Sequence, residues 1–241
     1  MLYFFDRIWY NNCILIKRVT EMERITSGKE KQNAYRIEYS RYKKALTQEF
    51  YLEGLVIGYA IIEDRLVSFL HYCGIVSREK ENLEINKSVY PFIRTLLNKS
   101  EDTSIKVKDI RVKMDIVQAL LELDAESAQQ IEIDTKAVID RQNEGKKRKR
   151  RILIGYMIAL QRKMNNLKKA ELLDFLKNQL DPWRENRNQI IHALLSKKVD
   201  GVAIAKKELS EQGYELTRTL DNELVKPTKR GTDIRKKFNI Q

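Results

Sequence analysis

Glycine and proline are scarce in this chain, with 9 and 3 residues among 241. Short strands joined by frequent turns draw heavily on those two residue types, so the shortage argues against an all-β architecture. Cysteine is scarcer still. Cys13 and Cys73 stand far apart in apolar surroundings, and form neither a disulfide framework nor a C-x-x-C metal pair. A reducing compartment, and hence a cytoplasmic location, follows as the simpler expectation. His71 and His192 are the two histidines, and no His/Cys/carboxylate cluster has metal-ligand spacing. No Gly-rich loop follows a strand, and no G-x-S-x-G elbow occurs. The expectation is therefore a chain that uses neither metal nor cofactor. No apolar run approaches the ~18 residues of a membrane span. The apolar start, MLYFFDRIWYNNCILIKRV, is interrupted at Asp6 and Arg7 and lacks the layout of a secretory signal. It reads as a helix or strand packed on the body, with a membrane-surface anchor as the alternative.

What the chain has in quantity is Leu, Ile, Glu, Lys and Arg, the residues of stable helices. Hydrophobic residues make up 42% of it, enough for a sizeable core. The expected fold is all-α, an antiparallel helical bundle. Residues 30–75 read as one long helix or two in succession, with Leu52, Leu55, Val56, Tyr59, Ile62, Leu66, Phe69 and Leu70 at helical spacing. Thr47 is a candidate N-cap and Gly74 a candidate stop. Gly54 and Gly58 suggest close approach of another helix. Pro91 marks a break, and residues 92–98 and 105–123 read as further helices, the latter through Ile110, Met114, Val117, Leu120 and Leu121. Asp181-Pro182 reads as punctuation between an amphipathic helix ending near Leu180 and a second helix running from Pro182 to about Lys198, closed by Gly201. The segments are then an N-terminal helical extension (1–46), a helical bundle (47–200) and a basic, weakly helical to mobile tail (201–241).

Charge narrows the partners. The formal net charge is +12, which favours a polyanion, either nucleic acid or an anionic membrane surface. Residues 115–144 carry eight acids and two basic residues, whereas residues 146–169 carry ten basic residues and no acid. The step falls on Lys146, Lys147, Arg148, Lys149, Arg150 and Arg151. Adjacent cations repel, so this run belongs in a loop or at a solvated helix start. It is either a solvated face or a contact to a phosphate backbone, with a nuclear-import signal as a third option.

The helix from Asp181 places Arg184, Arg187, Asn188 and His192 along the border of an apolar stripe. Asn188 and His192 share a face, being four apart. Arg187 lies about 140° around from His192, so the two converge only through the length of the arginine or through a second subunit. Imidazole can shuttle protons near neutral pH, and a guanidinium can neutralise charge on a phosphorane. The bland alternatives are a structural histidine and a surface pair of Arg187 with Glu185.

The string Arg187-Asn188-x-x-x-His192, within WRENRNQIIHALL and late in a basic helical chain, resembles the R-x4–6-H signature of HEPN domains. The upstream YAIIEDRLVSFL (59–70) is similar to the long early helix of that family, and the resemblance covers residues 47–200. It implies metal-independent RNA cleavage by a homodimer, of the defence or toxin type, leaving a 2′,3′-cyclic phosphate and a 5′-OH. Carried over, His192 is general acid or base, Arg187 stabilises the phosphate, and Asn188 orients one of them. Glu63 is the upstream acid that faces the motif, or else pairs with Arg65 or Lys43. Arg184 joins the basic run as an RNA contact, and Trp183 and Ile191 are candidates for the apolar part of a dimer interface. An antitoxin or defence protein is a possible further partner, although Leu194 stands where HEPN toxins silenced by a nucleotidyltransferase carry Tyr. The competing readings are a non-enzymatic nucleic-acid-binding helical protein and a scaffold docking on anionic lipid.

Overall fold

A computed structural model describes residues 28–77, 83–100, 104–140, 147–193, 199–230 and 233–238. The apolar N-terminus and Cys13 lie outside them. By internal contacts the chain divides into Met1–Ile37 and Glu38–Gln241. The described part of the first unit is the opening of helix α1, Gly28–Thr47, where Arg36 donates to Asn33 Oδ1 at 2.9 Å. All else below concerns the second unit.

The fold is an all-α bundle. After α1 come α2 (Tyr51–Tyr72), α3 (Tyr90–Leu96), α4 (Ile110–Glu122), α5 (Ala125–Asp140), α6 (Lys147–Asn165), α7 (Lys169–Phe175), α8 (Asp181–Ala193) and α9 (Val199–Thr219). Two short helices, α10 (Lys226–Lys229) and α11 (Ile234–Phe238), close the chain. The β structure among the described residues is one isolated antiparallel bridge, Val76 with Ile85.

Thr47 is the last residue of α1 rather than a cap for α2. Its hydroxyl donates back to the Lys43 carbonyl at 3.0 Å. Gly74 does stop α2, with a φ of 77°. Its N–H bonds the His71 carbonyl and the Ile75 N–H bonds Leu70, both at 2.9 Å. This paired closure needs a left-handed residue, which glycine supplies without a Cβ clash.

α2 is the centre of the core. Leu55, Ile62, Leu66, Phe69 and Leu70 are fully buried, as the periodicity predicts. Leu52 and Val56 are exposed, because the buried face shifts to Ile57 and Ile61 at the start of the helix. Met114, Val117, Leu120 and Leu121 of α4 also pack in the core. Tyr156, Leu160 and Met164 come from α6, and Leu209, Leu216 and Leu220 from α9 and the turn after it.

α2 and α9 run parallel: Gly54 lies opposite Ser210, and Arg65 pairs with Asp221. Glycine makes this approach possible. A Cβ on Gly54 would strike Ser210 Oγ. One on Gly58 would come within 2.5 Å of the Tyr42 hydroxyl, and one on Gly213 within 2.8 Å of Trp183. Tyr42 fills the resulting slot, and its hydroxyl donates to the Ser210 carbonyl at 2.7 Å.

Asp181-Pro182 does not break the chain. In a regular α-helix Pro182 would leave the Asn178 carbonyl without its N–H and press its ring against it. Instead Leu176–Leu180 forms a single π-turn, in which the Asp181 N–H reaches back five residues to Leu176. α7, this turn and α8 form one continuous helix. The same arrangement recurs before Pro227, where Leu220–Val225 is a π-turn and the Lys226 N–H bonds Asp221. The extra residue in each turn moves the clashing carbonyl aside.

The C-terminal region is also more ordered than its composition suggests. Gly201 lies inside α9, so the expected boundary at residue 200 falls within a helix. Ile234 is 2% exposed. The Phe238 ring meets Tyr156 edge-on at 6.3 Å, and Tyr156 in turn meets Phe92 edge-on at 6.1 Å. Ile234 and the Phe238 ring thus place α11 (Ile234–Phe238) against the bundle.

Candidate active site

The Arg-Asn-x-x-x-His string lies on α8, which packs mainly on α9; Arg187 reaches Tyr59 of α2, and Arg111 of α4 reaches Asp181 at the start of α8. α8 is anchored by Trp183, which is 1% exposed and donates its indole N–H to the Leu209 carbonyl at 2.7 Å. A side chain so placed cannot contribute to a dimer surface, which corrects that expectation. Ile191 is half-buried and stays available.

One turn beyond Trp183, Arg187 turns inward. Its guanidinium lies 4.3 Å from the centre of the Tyr59 ring on α2, and its Nη1 donates to Asn188 Oδ1 at 3.1 Å. Its Nε is buried without a hydrogen-bond partner among the described residues. A cation stacked on a phenol ring gains about 0.5–2 kcal/mol. The contact restricts where the guanidinium can sit, beside the Tyr59 ring. Burial, reinforced by the Glu63 carboxylate, pushes the Tyr59 phenol above its ordinary value, while Arg187 opposes that shift. The ring therefore stays neutral and keeps its electron-rich faces. Tyr59 is the neighbour of Arg187 that the sequence does not point to. It stood in the apolar stripe of α2, and only its place four residues before Glu63 hinted at a polar edge.

Glu63 takes Lys113 of α4 as its partner, not Arg187, Arg65 or Lys43. Lys113 is 3% exposed in its side chain and also donates to the Lys108 carbonyl at 2.7 Å. Arg65 goes to Asp221 at 2.9 Å. A lysine buried to this degree needs its counter-charge, which gives Glu63 a structural task. Glu63→Gln should lower unfolding free energy by about 2–3 kcal/mol, less than a fully buried pair because the carboxylate side is partly exposed. A Glu63→Gln/Lys113→Met double variant should recover most of that loss. Urea denaturation checks both. Unchanged stability with lost activity in Glu63→Gln would move the carboxylate into the chemistry.

Arg184 is similarly occupied. It binds Asp181 at 2.8 Å and Glu185 at 3.1 Å, and Arg111 of α4 reaches the same Asp181. Burial raises the Asp181 carboxyl, but the two arginines outweigh it and hold the group below its ordinary value. Arg184 therefore serves as a brace for the start of α8. Glu185 pairs with Arg184 and not with Arg187.

His192 is exposed in the last turn of α8. Arg187 and His192 diverge around the helix as their spacing requires, and they are not bonded to each other. His71, the other histidine, also has a cation beside it. Its Nδ1–H donates to the Val76 carbonyl at 3.3 Å, which leaves Nε2 to accept from Arg235. Both ring nitrogens are committed, so His71 is a structural joint between α2 and α11. Cys73, fully buried, has its thiol pushed up to about 12 by burial, and is inert as a nucleophile.

The chain matches no family model, no curated protein and no solved structure. Among the described residues no helix is long and apolar enough to cross a membrane. Of the basic run, Lys146 lies outside the described residues. Lys147 to Arg151 form the first turns of α6, and their side chains are not described.

Proposed function

We propose that this protein is a metal-independent endoribonuclease that cleaves RNA through attack of the 2′-OH, with a setting in defence or toxin systems implied by its resemblance to HEPN domains. The supporting observation is the seating of Arg187. Its guanidinium is stacked on Tyr59, and among the described residues its hydrogen bond is the one from Nη1 to Asn188. A permanent cation seated against an aromatic ring, with donors beyond the one spent on Asn188, suits a phosphate whose charge grows during reaction.

In the proposed step the substrate 2′-oxygen bonds to phosphorus as its proton passes to a base. The bond from phosphorus to the 5′-oxygen breaks, and that oxygen takes a proton from an acid. The products are a 2′,3′-cyclic phosphate and a 5′-OH. His192 supplies one of the two proton-transfer groups. A homodimer that brings two copies of α8 to one cleft would supply the other from the second His192, and would also bring an Arg187 and a His192 that diverge on one helix towards a common phosphate.

The test is cleavage of single-stranded RNA and of the matching DNA with EDTA present. RNA should be cut and DNA left intact, because DNA lacks the attacking hydroxyl. Binding should weaken steeply with salt, and neutralising Lys146 to Arg151 should flatten that slope by about one unit for each phosphate the run neutralises. If EDTA abolishes cleavage the mechanism is wrong. If RNA is bound and never cut, the protein is a non-enzymatic RNA-binding bundle.

A further inference from the structure

A recess of about 370 Å³ opens between the second half of α1, the end of α9 and the π-turn that follows it. It shares no residue with the Arg187–His192 face. The volume lies in the range of small-ligand sites, about 300–1,000 Å³. Two half-buried tyrosines form its aromatic wall. Tyr39 and Tyr214 stand edge to face, with centroids 6.1 Å apart and planes at 85°. Tyr214 is held from another side by Tyr42 at 5.3 Å and 87°. Tyr42 is itself wedged among Gly54, Gly58 and Gly213. The rings are thus fixed by the core before any ligand arrives.

The rest of the lining is dominated by cations: Lys43, Arg218 and Lys226. Asp221, the carboxylate of the recess, is already neutralised. It pairs with Arg65 at 2.9 Å and with Lys226 at 3.0 Å, and Lys226 is steadied further by Asn222 at 2.8 Å. Arg218 has Glu215 at 3.6 Å, both side chains being more than half exposed, an attraction worth little. Lys43 has no carboxylate partner among the described residues. A net positive rim beside pre-set aromatic rings calls for a ligand with an anion at one end and a planar ring at the other.

We infer that this recess binds a nucleoside phosphate. Arg218, with Lys43 and Lys226, holds the phosphate, for which the planar guanidinium fork is suited. The base lies against the Tyr39 and Tyr214 rings, where aromatic contact contributes about 1–3 kcal/mol. The Asn222 amide, whose oxygen accepts from Lys226, offers its N–H donors to the sugar or base. The same chemistry is presented by a free mononucleotide and by the phosphorylated end of an RNA strand.

Calorimetric titration of the full chain separates these sources. The probes are AMP, GMP, CMP and UMP, inorganic phosphate, and a short RNA with and without a 5′-phosphate. At least one mononucleotide, or the 5′-phosphorylated RNA in preference to its unphosphorylated form, should bind saturably. A mononucleotide should bind about tenfold or more tightly than inorganic phosphate. Arg218→Glu and Lys43→Glu, both at exposed side chains, should each weaken binding about tenfold or more. Arg187→Ala and His192→Ala should leave it unchanged, so failure here and failure of the ribonuclease reading are distinguishable. No binding up to about 1 mM, binding that both charge reversals leave intact, or phosphate binding as tightly as every nucleotide would overturn the inference.

Discussion

Replacing His192 with alanine should reduce RNA cleavage about 100-fold or more, and Arg187→Ala should do the same, as loss of an acid–base group or a charge-stabilising group usually does. The two variants should differ in one respect. His192 is exposed at the end of α8, so its removal should move the unfolding midpoint less than removal of Arg187. Arg187→Ala also loses the stack on Tyr59 and should give up about 0.5–1 kcal/mol of stability. Arg187→Lys keeps the charge without the planar fork, so it should recover stability better than rate. Tyr59→Phe preserves the ring and should cut RNA near the wild-type rate. Tyr59→Leu removes the seat of the guanidinium and should slow cleavage about tenfold with RNA binding retained, the pattern of a positioning residue. All variants should remain folded and still bind RNA. Cleavage by His192→Ala at the wild-type rate would end this account and leave a helical RNA-binding protein.

Trp183→Ala should destabilise the fold by about 3–5 kcal/mol, the range for removing a fully buried aromatic side chain. Three losses coincide. The indole leaves a cavity between α8 and α9, the Leu209 carbonyl loses its side-chain donor, and Gly213 loses the surface it was shaped to meet. A domain of this size has roughly 5–15 kcal/mol in total, so the variant should denature at markedly lower urea concentration. Trp183→Phe, which keeps most of the packing and drops the hydrogen bond, should fall between the two. The site depends on this anchor, because Arg187 sits one turn further along the same helix. Activity of Trp183→Ala at low temperature should track its folded fraction. A loss under 1 kcal/mol would mean that α8 is not held in this way.

The class of fold and much of the core are legible from residue order alone. Ile110, Met114, Val117, Leu120 and Leu121 repeat at helical spacing, and all are buried. Gly74 reads as a stop because a left-handed residue after a helix is a local requirement. Gly54 and Gly58 signal a close helix approach, which Tyr42 and Ser210 supply. Such features are legible because they depend on neighbours within one or two turns.

Other features depend on neighbours far along the chain, and these emerge only in the packed fold. Pro182 marks a change of helix locally, yet packing of α7 and α8 on one core favours a π-turn over a break. Glu63 has Arg65 two residues away in sequence, yet its actual partner, Lys113, is fifty residues away on α4. Tyr59 counts as apolar in a periodicity argument, and only the register of α8 against α2 turns it into the support for Arg187. The basic tail reads as mobile by composition, yet among its described residues Ile234 is buried. Periodicity fixes which face of a helix is apolar. The partner each polar residue meets at the edge of that face is set by helix rotation and register, which arise only when the whole core is packed.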